Sequence, residues 1–303
     1  MVARVGMIGF SEGNGHPFSF SAIINGYRPD RFAACGWPVI GEYLARRDAS
    51  EFGVGDLRVT HAWMPDAGMT RALCEACDIE VAARNVSELP GQVDAVIIAR
   101  DDADSHWALA EPFLAGGTPV FIDKPLAPSF ELLGRFAPYL EAGKLMSCSG
   151  MRYAAELDGP RSELPAYGTL KLVRGAVVLD WMRYGIHAID AICAVTGARA
   201  VAVTPHPASH QSVAIETRDG PLILIDALGA VPKLFRFDFI GTGRVTSHEV
   251  TDNFTMFRRL LGEFATMVKT GVPPFALDAA LEPLRILLAG QDALARGTRV
   301  ELS

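Results

Sequence analysis

Over its first 150 residues the chain alternates short apolar runs that end in loops with helical stretches, and no other feature restricts its fold as much. Val93-Asp94-Ala95-Val96-Ile97-Ile98-Ala99 is the clearest run, and its length and flanks suit a central strand. Arg4-Val5-Gly6-Met7-Ile8-Gly9-Phe10 reads the same way, as a buried parallel strand. Further strands are expected over 57–63, 79–82, 119–122 and 145–149, and helices over 18–26, 37–47, 68–77, 104–115 and from Ser129 to about Ala142. Pro38 suits the first turn of its helix, Gly116-Gly117 the end of another, and Ser129 an N-cap. Strands that alternate with helices build right-handed βαβ units, hence a doubly wound parallel sheet.

The pattern changes beyond residue 150. A long strand over 170–179 and a helix over 185–195 precede four strand-like runs, 199–205, 211–217, 221–228 and 233–240, with Gly220-Pro221 and Gly229 as turns. Helices over 254–270 and 278–295 close the chain. The expectation is an α/β protein: a parallel-sheet domain over 1–125, then an α+β domain over 126–303 with a large, mostly antiparallel sheet, the boundary falling as late as 150. A length of 303 residues suits two such domains.

A net charge of −7 without a basic cluster argues against a nucleic-acid partner. No apolar run is long enough to span a membrane, and Met1-Val2-Ala3-Arg4-Val5 leads directly into a strand pattern, so a cytoplasmic enzyme is expected. The five cysteines are scattered and odd in number, which suits a reducing compartment. Cys74-Glu75-Ala76-Cys77 lacks the second pair that a metal site would need, so it reads as two incidental helix cysteines and no metal is expected.

Two polar segments stand out against this apolar frame. Lys124 ends the run Val120-Phe121-Ile122-Asp123-Lys124-Pro125, where an ammonium is costly to hold unless it has a task. His187 and Asp190 share one face of the helix that starts near Gly185. Together they read as one polar site drawn from both halves of the chain.

Asp123-Lys124-Pro125 and Gly185-Ile186-His187-Ala188-Ile189-Asp190 resemble the two central motifs of the glucose–fructose oxidoreductase, inositol dehydrogenase and MocA family of nicotinamide-dependent enzymes. Asp94 to Ala99 with His106, Met151-Arg152-Tyr153, Gly262-Glu263-Phe264 and the closing run from Gly297 to Leu302 are similar to further family segments, in the family's order. The resemblance implies a Rossmann first domain. It also implies a hydride exchanged between nicotinamide and a hydroxyl or keto carbon of a sugar, cyclitol or nucleotide-linked sugar. Lys124 and His187 then carry the proton work, and Asp190 holds the substrate or the histidine. Arg152 and Tyr153 are the implied substrate contacts.

Four stretches depart from that pattern. Arg183 stands where many family members have an Asp, and it suits an anionic substrate group. In Gly9-Phe10-Ser11-Glu12-Gly13-Asn14-Gly15-His16-Pro17, Ser11 and Asn14 take the places of two phosphate-loop glycines. Gly9, Phe10, Ser11, Gly13 and Asn14 are the cofactor contacts expected there, with Ser11, Asn14 and His16 able to reach the substrate instead. The usual ribose-binding acid is displaced to Asp66, and no arginine follows the second strand, which favours NAD over NADP. Arg100-Asp101-Asp102 replaces a small turn. Arg100, Asp101, His106, Asp123 and Lys124 complete the expected cofactor shell.

An NAD-dependent oxidoreductase is the leading reading, and a catalytically silent dinucleotide or sugar sensor on the same fold is its rival. An epimerase of the short-chain type is disfavoured, because no Tyr-x-x-x-Lys segment is found. The run Leu222-Ile223-Leu224-Ile225 suggests a sheet face that meets another subunit, hence a homodimer or homotetramer.

Overall fold

The computed structural model describes residues 2–302, which form two compact units. Of the described residues, the first comprises 2–126, 134–147 and 257–274; the second comprises 127–133, 148–256 and 275–302.

The first unit holds a six-stranded, all-parallel sheet in the order β3-β2-β1-β4-β5-β6. Its strands are β1 (Ala3–Ile8), β2 (Leu57–Trp63), β3 (Val81–Ala82), β4 (Ala95–Ile98), β5 (Val120–Ile122) and β6 (Leu145–Met146). Every residue of β4 and β5 is buried, as a strand covered on both faces requires. Between the strands run α1 (His16–Asn25), α2 (Pro29–Ala33), α3 (Pro38–Leu44), α4 (Ala67–Ala76) and α5 (Ala103–Ala115). Helix α6 (Phe130–Glu141) carries the chain from the second unit back into the first. Gly117, at φ +76°, turns the chain out of α5 towards β5 in a conformation that a side chain would strain.

The alternation of strand and helix is as expected, and β2 spans the residues that the sequence marks. Several bounds differ, and the strand expected over 145–149 already ends at Met146. The expected strand at 79–82 is only Val81–Ala82, both exposed, because it lies at the sheet edge and has little to bury. The helix expected over 37–47 stops at Leu44. Helix α2 has only Phe32 buried, too little for an apolar period to announce it.

The second unit is built on a seven-stranded sheet in the order β12-β11-β7-β10-β9-β8-β13. These strands are β7 (Leu170–Val177), β8 (Ala200–His206), β9 (Gln211–Thr217), β10 (Leu222–Ala227), β11 (Phe235–Gly241), β12 (Val245–Glu249) and β13 (Val300–Glu301). All pairings are antiparallel except that of β10 with β7. Short helix α7 (Asp158–Ser162) precedes the sheet, α8 (Ile186–Thr196) follows β7, α9 (Asn253–Thr270) leads into the first unit, and α10 (Leu277–Arg296) returns to pack beside α8. Residues alternate along β7, β10 and β11: Val173, Ile223, Ile225, Phe237 and Phe239 are buried, whereas Arg174, Leu222 and Arg236 are exposed.

Strands β12 and β13 go beyond the expected set. Val-Thr-Ser-His-Glu in β12 offers no inward apolar row, since its residues are only half-buried or exposed. The helix expected from Gly185 is preceded by a π-helical turn, Trp181–Gly185. Asp180 is therefore not a helix residue. It caps that turn, and its carboxylate accepts the Arg183 N–H at 2.9 Å. Trp181 is fully buried, and its indole Nε1–H donates to the Leu287 carbonyl at 2.8 Å. Gly290, one turn further along α10, makes room for the ring: a Cβ there would lie 2.3 Å from Trp181 Cζ2.

Candidate active site

Strand order in the first unit reverses between β1 and β4, so the loops after β1, β4 and β5 meet at a topological switch point, where open α/β sheets bind ligands. Asp123 is the polar centre of that meeting point and is buried. Its Oδ2 accepts Asn14 Nδ2–H at 3.1 Å and His16 Nδ1–H at 2.5 Å, and its Oδ1 accepts the Lys124 backbone N–H at 2.9 Å. Burial alone would raise its pKa, but the His16 and Lys124 charges and the bonds from His16 and Asn14 hold it well below the usual carboxylate range. Asp123 is thus ionised, which makes His16 Nδ1 the donor. The His16 ring stacks on Phe20 and meets Phe257 edge-on. Lys124 is buried beside it.

The loop after β1 is organised by side chains. Asn14 spends its amide on Asp123 and its carbonyl oxygen on the His16 N–H at 2.8 Å. The Ser11 hydroxyl pairs with the Asp101 carboxylate and accepts the Asp101 N–H at 3.0 Å. Phe10 meets Trp37 edge-on. A Cβ on Gly9 would lie 2.7 Å from Pro17 Cγ, and one on Gly15 would lie 2.5 Å from Ile40 Cδ1, so both glycines serve close packing of the chain on itself. Gly13, at φ +79°, makes the turn between them.

The charged loop after β4 is likewise paired. Arg100 donates to Asp102 through Nε at 2.8 Å and Nη2 at 2.6 Å, and to Ser105 Oγ at 3.1 Å. His106, expected at the cofactor, is fully buried, with its ring nitrogens 3.1 Å from the Leu126 and Arg100 carbonyls. It braces the β4 and β5 loops, and burial lowers its pKa. Asp66 is the N-cap of α4, accepting the Met69 N–H at 2.7 Å. Cys74 and Cys77 lie at the end of the same helix, where burial pushes the Cys74 thiol up to about 11.

Within the second unit, a polar cluster surrounds His187 at the start of α8. Its aromatic neighbours are Tyr184 and Phe235, both edge-on to the imidazole. Its Nδ1 is 2.6 Å from the Ser149 hydroxyl. Asp190, one turn along the helix, is buried and fully engaged. Its Oδ1 takes Arg152 Nε–H at 2.9 Å and Nη2–H at 2.5 Å, and its Oδ2 takes the Ser149 N–H at 2.6 Å. Arg152 also donates to the Ala279 carbonyl at 3.1 Å and stands over the Phe275 ring. Asp190, expected to hold the substrate or the histidine, is engaged in a buried ion pair that fixes the turn Gly150–Tyr153 against α8. Arg183 is exposed beside this cluster, in the π-helical turn.

Sequence reasoning brought Asn14, Asp123 and Lys124 together, and likewise Arg152, His187 and Asp190. It missed Ser149, which binds both His187 and Asp190. The available signal was a serine at the end of an apolar run, two residues before the Met151-Arg152-Tyr153 step.

The switch-point loops and the buried lysine belong to a Rossmann-type unit, and a second, α+β unit accompanies it. Residues 31–145 match the model of the oxidoreductase family with an NAD-binding Rossmann fold. Over that segment the chain is similar to the NAD-binding part of the glucose–fructose oxidoreductase, inositol dehydrogenase and MocA family. No curated protein matches the sequence. Among solved structures, myo-inositol 2-dehydrogenase from Lactobacillus plantarum is similar over 100% of both chains at 15% identity, with a TM-score of 0.79. The Lactobacillus casei myo-inositol dehydrogenase, solved with NAD(H) and myo-inositol, matches over 100% of this chain and 97% of its own at 14% identity and TM-score 0.75. The Lactobacillus casei scyllo-inositol dehydrogenase, solved with NAD(H) and scyllo-inositol, covers 99% of each chain at 13% identity and TM-score 0.76. At such identities the likeness establishes the fold.

Proposed function

We propose that this protein is an NAD-dependent dehydrogenase acting on a CH–OH group of a sugar or cyclitol. The observation that carries the reading is Lys124, a buried lysine after β5 at the switch point, next to an ionised Asp123 that ties its loop to the loop after β1. Inositol dehydrogenases with NAD(H) among the structural neighbours support the substrate class.

The residues fit the cofactor in kind. The loop from Gly9 to Gly15 leads from a buried strand into α1, whose first turn carries no acidic residue of its own. Phe10, Ser11 and Gly13 would line the dinucleotide from this loop, and Asp101 would reach it through Ser11. Asn14 and His16 act one step back by holding Asp123. Bound NAD supplies the hydride acceptor. Lys124 would exchange the hydroxyl proton, and His187 would hold the substrate oxygen through a hydrogen bond. Arg152 and Asp190 keep the His187 helix and the Gly150–Tyr153 turn in register, leaving Tyr153 and Arg183 as the substrate-reading side chains. Without an arginine after β2, the adenosine end favours NAD over NADP. The uncovered face of the seven-stranded sheet, with exposed Leu222 and Val245 beside the Arg174–Asp226 pair, is the surface through which a homodimer or homotetramer would form.

Titration with NADH, followed by tryptophan quenching, together with a turnover screen over cyclitols and sugars tests the proposal. Saturable binding and NAD reduction with at least one polyol are expected; absence of binding at millimolar NADH would refute it. The internally satisfied loop, with Ser11 on Asp101 and Asn14 on Asp123, favours a second reading as a silent sensor. Binding without turnover across the panel would select it.

A further inference from the structure

Asp190 is the carboxylate that helical spacing sets beside His187, yet both of its oxygens are taken by Arg152 and the Ser149 N–H. The imidazole is oriented by a different group. Its Nδ1 meets Ser149 Oγ at 2.6 Å, and the same oxygen accepts the Met151 N–H at 3.1 Å. Ser149 is fully buried, and among the described residues these are the two polar neighbours of its hydroxyl.

The protons around Ser149 follow from that count. The Met151 amide can only donate, so it occupies one lone pair of Oγ. The hydroxyl proton then has one acceptor in reach, His187 Nδ1. Were Nδ1 to carry the proton of the neutral ring, the serine proton would be stranded in a buried site, at a cost of about one hydrogen bond. We propose that Ser149 is the positioning residue of His187. It holds the ring in one orientation and fixes the neutral imidazole as the tautomer that is protonated on Nε2, so that the ring meets a substrate oxygen as a hydrogen-bond donor. The catalytic consequence rests on the reading of His187 as a substrate-facing group; the tautomer does not.

Backbone and side chain of Ser149 do separate work. The N–H holds Asp190, and the hydroxyl holds His187. Ser149→Ala therefore removes the second contact and leaves the first. The full-length protein labelled with ¹⁵N-histidine, observed by NMR at mildly alkaline pH, reports the tautomer directly, with His187→Gln identifying the resonance. Wild type is expected to show a pyrrole-like Nε2 and a pyridine-like Nδ1. Ser149→Ala is expected to move the ring towards an exchanging mixture, and Ser149→Thr to restore the wild-type signature. In turnover, Ser149→Ala is expected to lower kcat about fivefold to tenfold with NADH affinity unchanged, the effect of one net hydrogen bond. A wild-type ring protonated on Nδ1, which needs no variant to detect, overturns the proposal, as does a Ser149→Ala spectrum identical to wild type. Failure to bind NADH would instead strike the dehydrogenase reading and leave the tautomer result standing.

Discussion

Replacing Asp190 by alanine should destabilise the second unit far more than it perturbs any ligand contact. The carboxylate is buried and accepts three N–H donors, two from Arg152 and one from Ser149. Removing one partner of a buried pair leaves the other charge uncompensated, at about 3–5 kcal/mol. The Ser149 N–H loses its acceptor as well, adding about 1 kcal/mol at the low end of the range for an orphaned buried donor. The Ala279 carbonyl and the Phe275 face keep the guanidinium partly satisfied, which sets the total at about 4–5 kcal/mol. With a urea m-value of about 2 kcal/mol/M, the midpoint should fall by roughly 2 M. Asp190→Asn retains an acceptor for the Ser149 N–H and should lose about half as much. Urea unfolding followed by far-UV circular dichroism reads these shifts. An alanine variant within about 1 kcal/mol of wild type that loses only substrate affinity would refute the reasoning and return Asp190 to the substrate.

Gly290→Ala ordinarily strengthens a helix by about 1 kcal/mol, but here the new methyl meets the Trp181 ring and should cost about 1–3 kcal/mol. Thermal unfolding should show a lower Tm; a higher one would contradict the packing. Asp123 has a folded-state pKa below its unfolded value, so its stabilising contribution is complete above about pH 4 and is lost as the pH falls towards the depressed folded value. Acid unfolding of Asp123→Asn should lack that part of the pH dependence, and a profile parallel to wild type between about pH 4 and 2 would count against it.

The fold was legible where burial is one-sided or complete. β4 and β5 are apolar throughout because helices cover both faces, and β7, β10 and β11 alternate because one face of their sheet is uncovered. β12 and β13 were hidden, since an edge strand held by backbone pairing needs no apolar row. The two polar centres were legible as residue types, because Lys124 and His187 are expensive to bury without a purpose. Their wiring was not. Nothing in local spacing indicates that Asn14 and His16 converge on Asp123 from more than a hundred positions away, or that Ser149 reaches α8. Asp190 shows the limit most clearly. Helical spacing placed it beside His187, but a distant arginine decided what its oxygens do.

Oxidation of a polyol followed as NADH formation, in wild type and in Lys124→Ala and His187→Ala variants shown to be folded and to bind NADH, probes hydride chemistry most directly. Turnover in the wild type, with a loss of about a hundredfold or more in kcat for each variant, is the predicted result. Wild-type rates retained when Lys124 is alanine would contradict the account at its root.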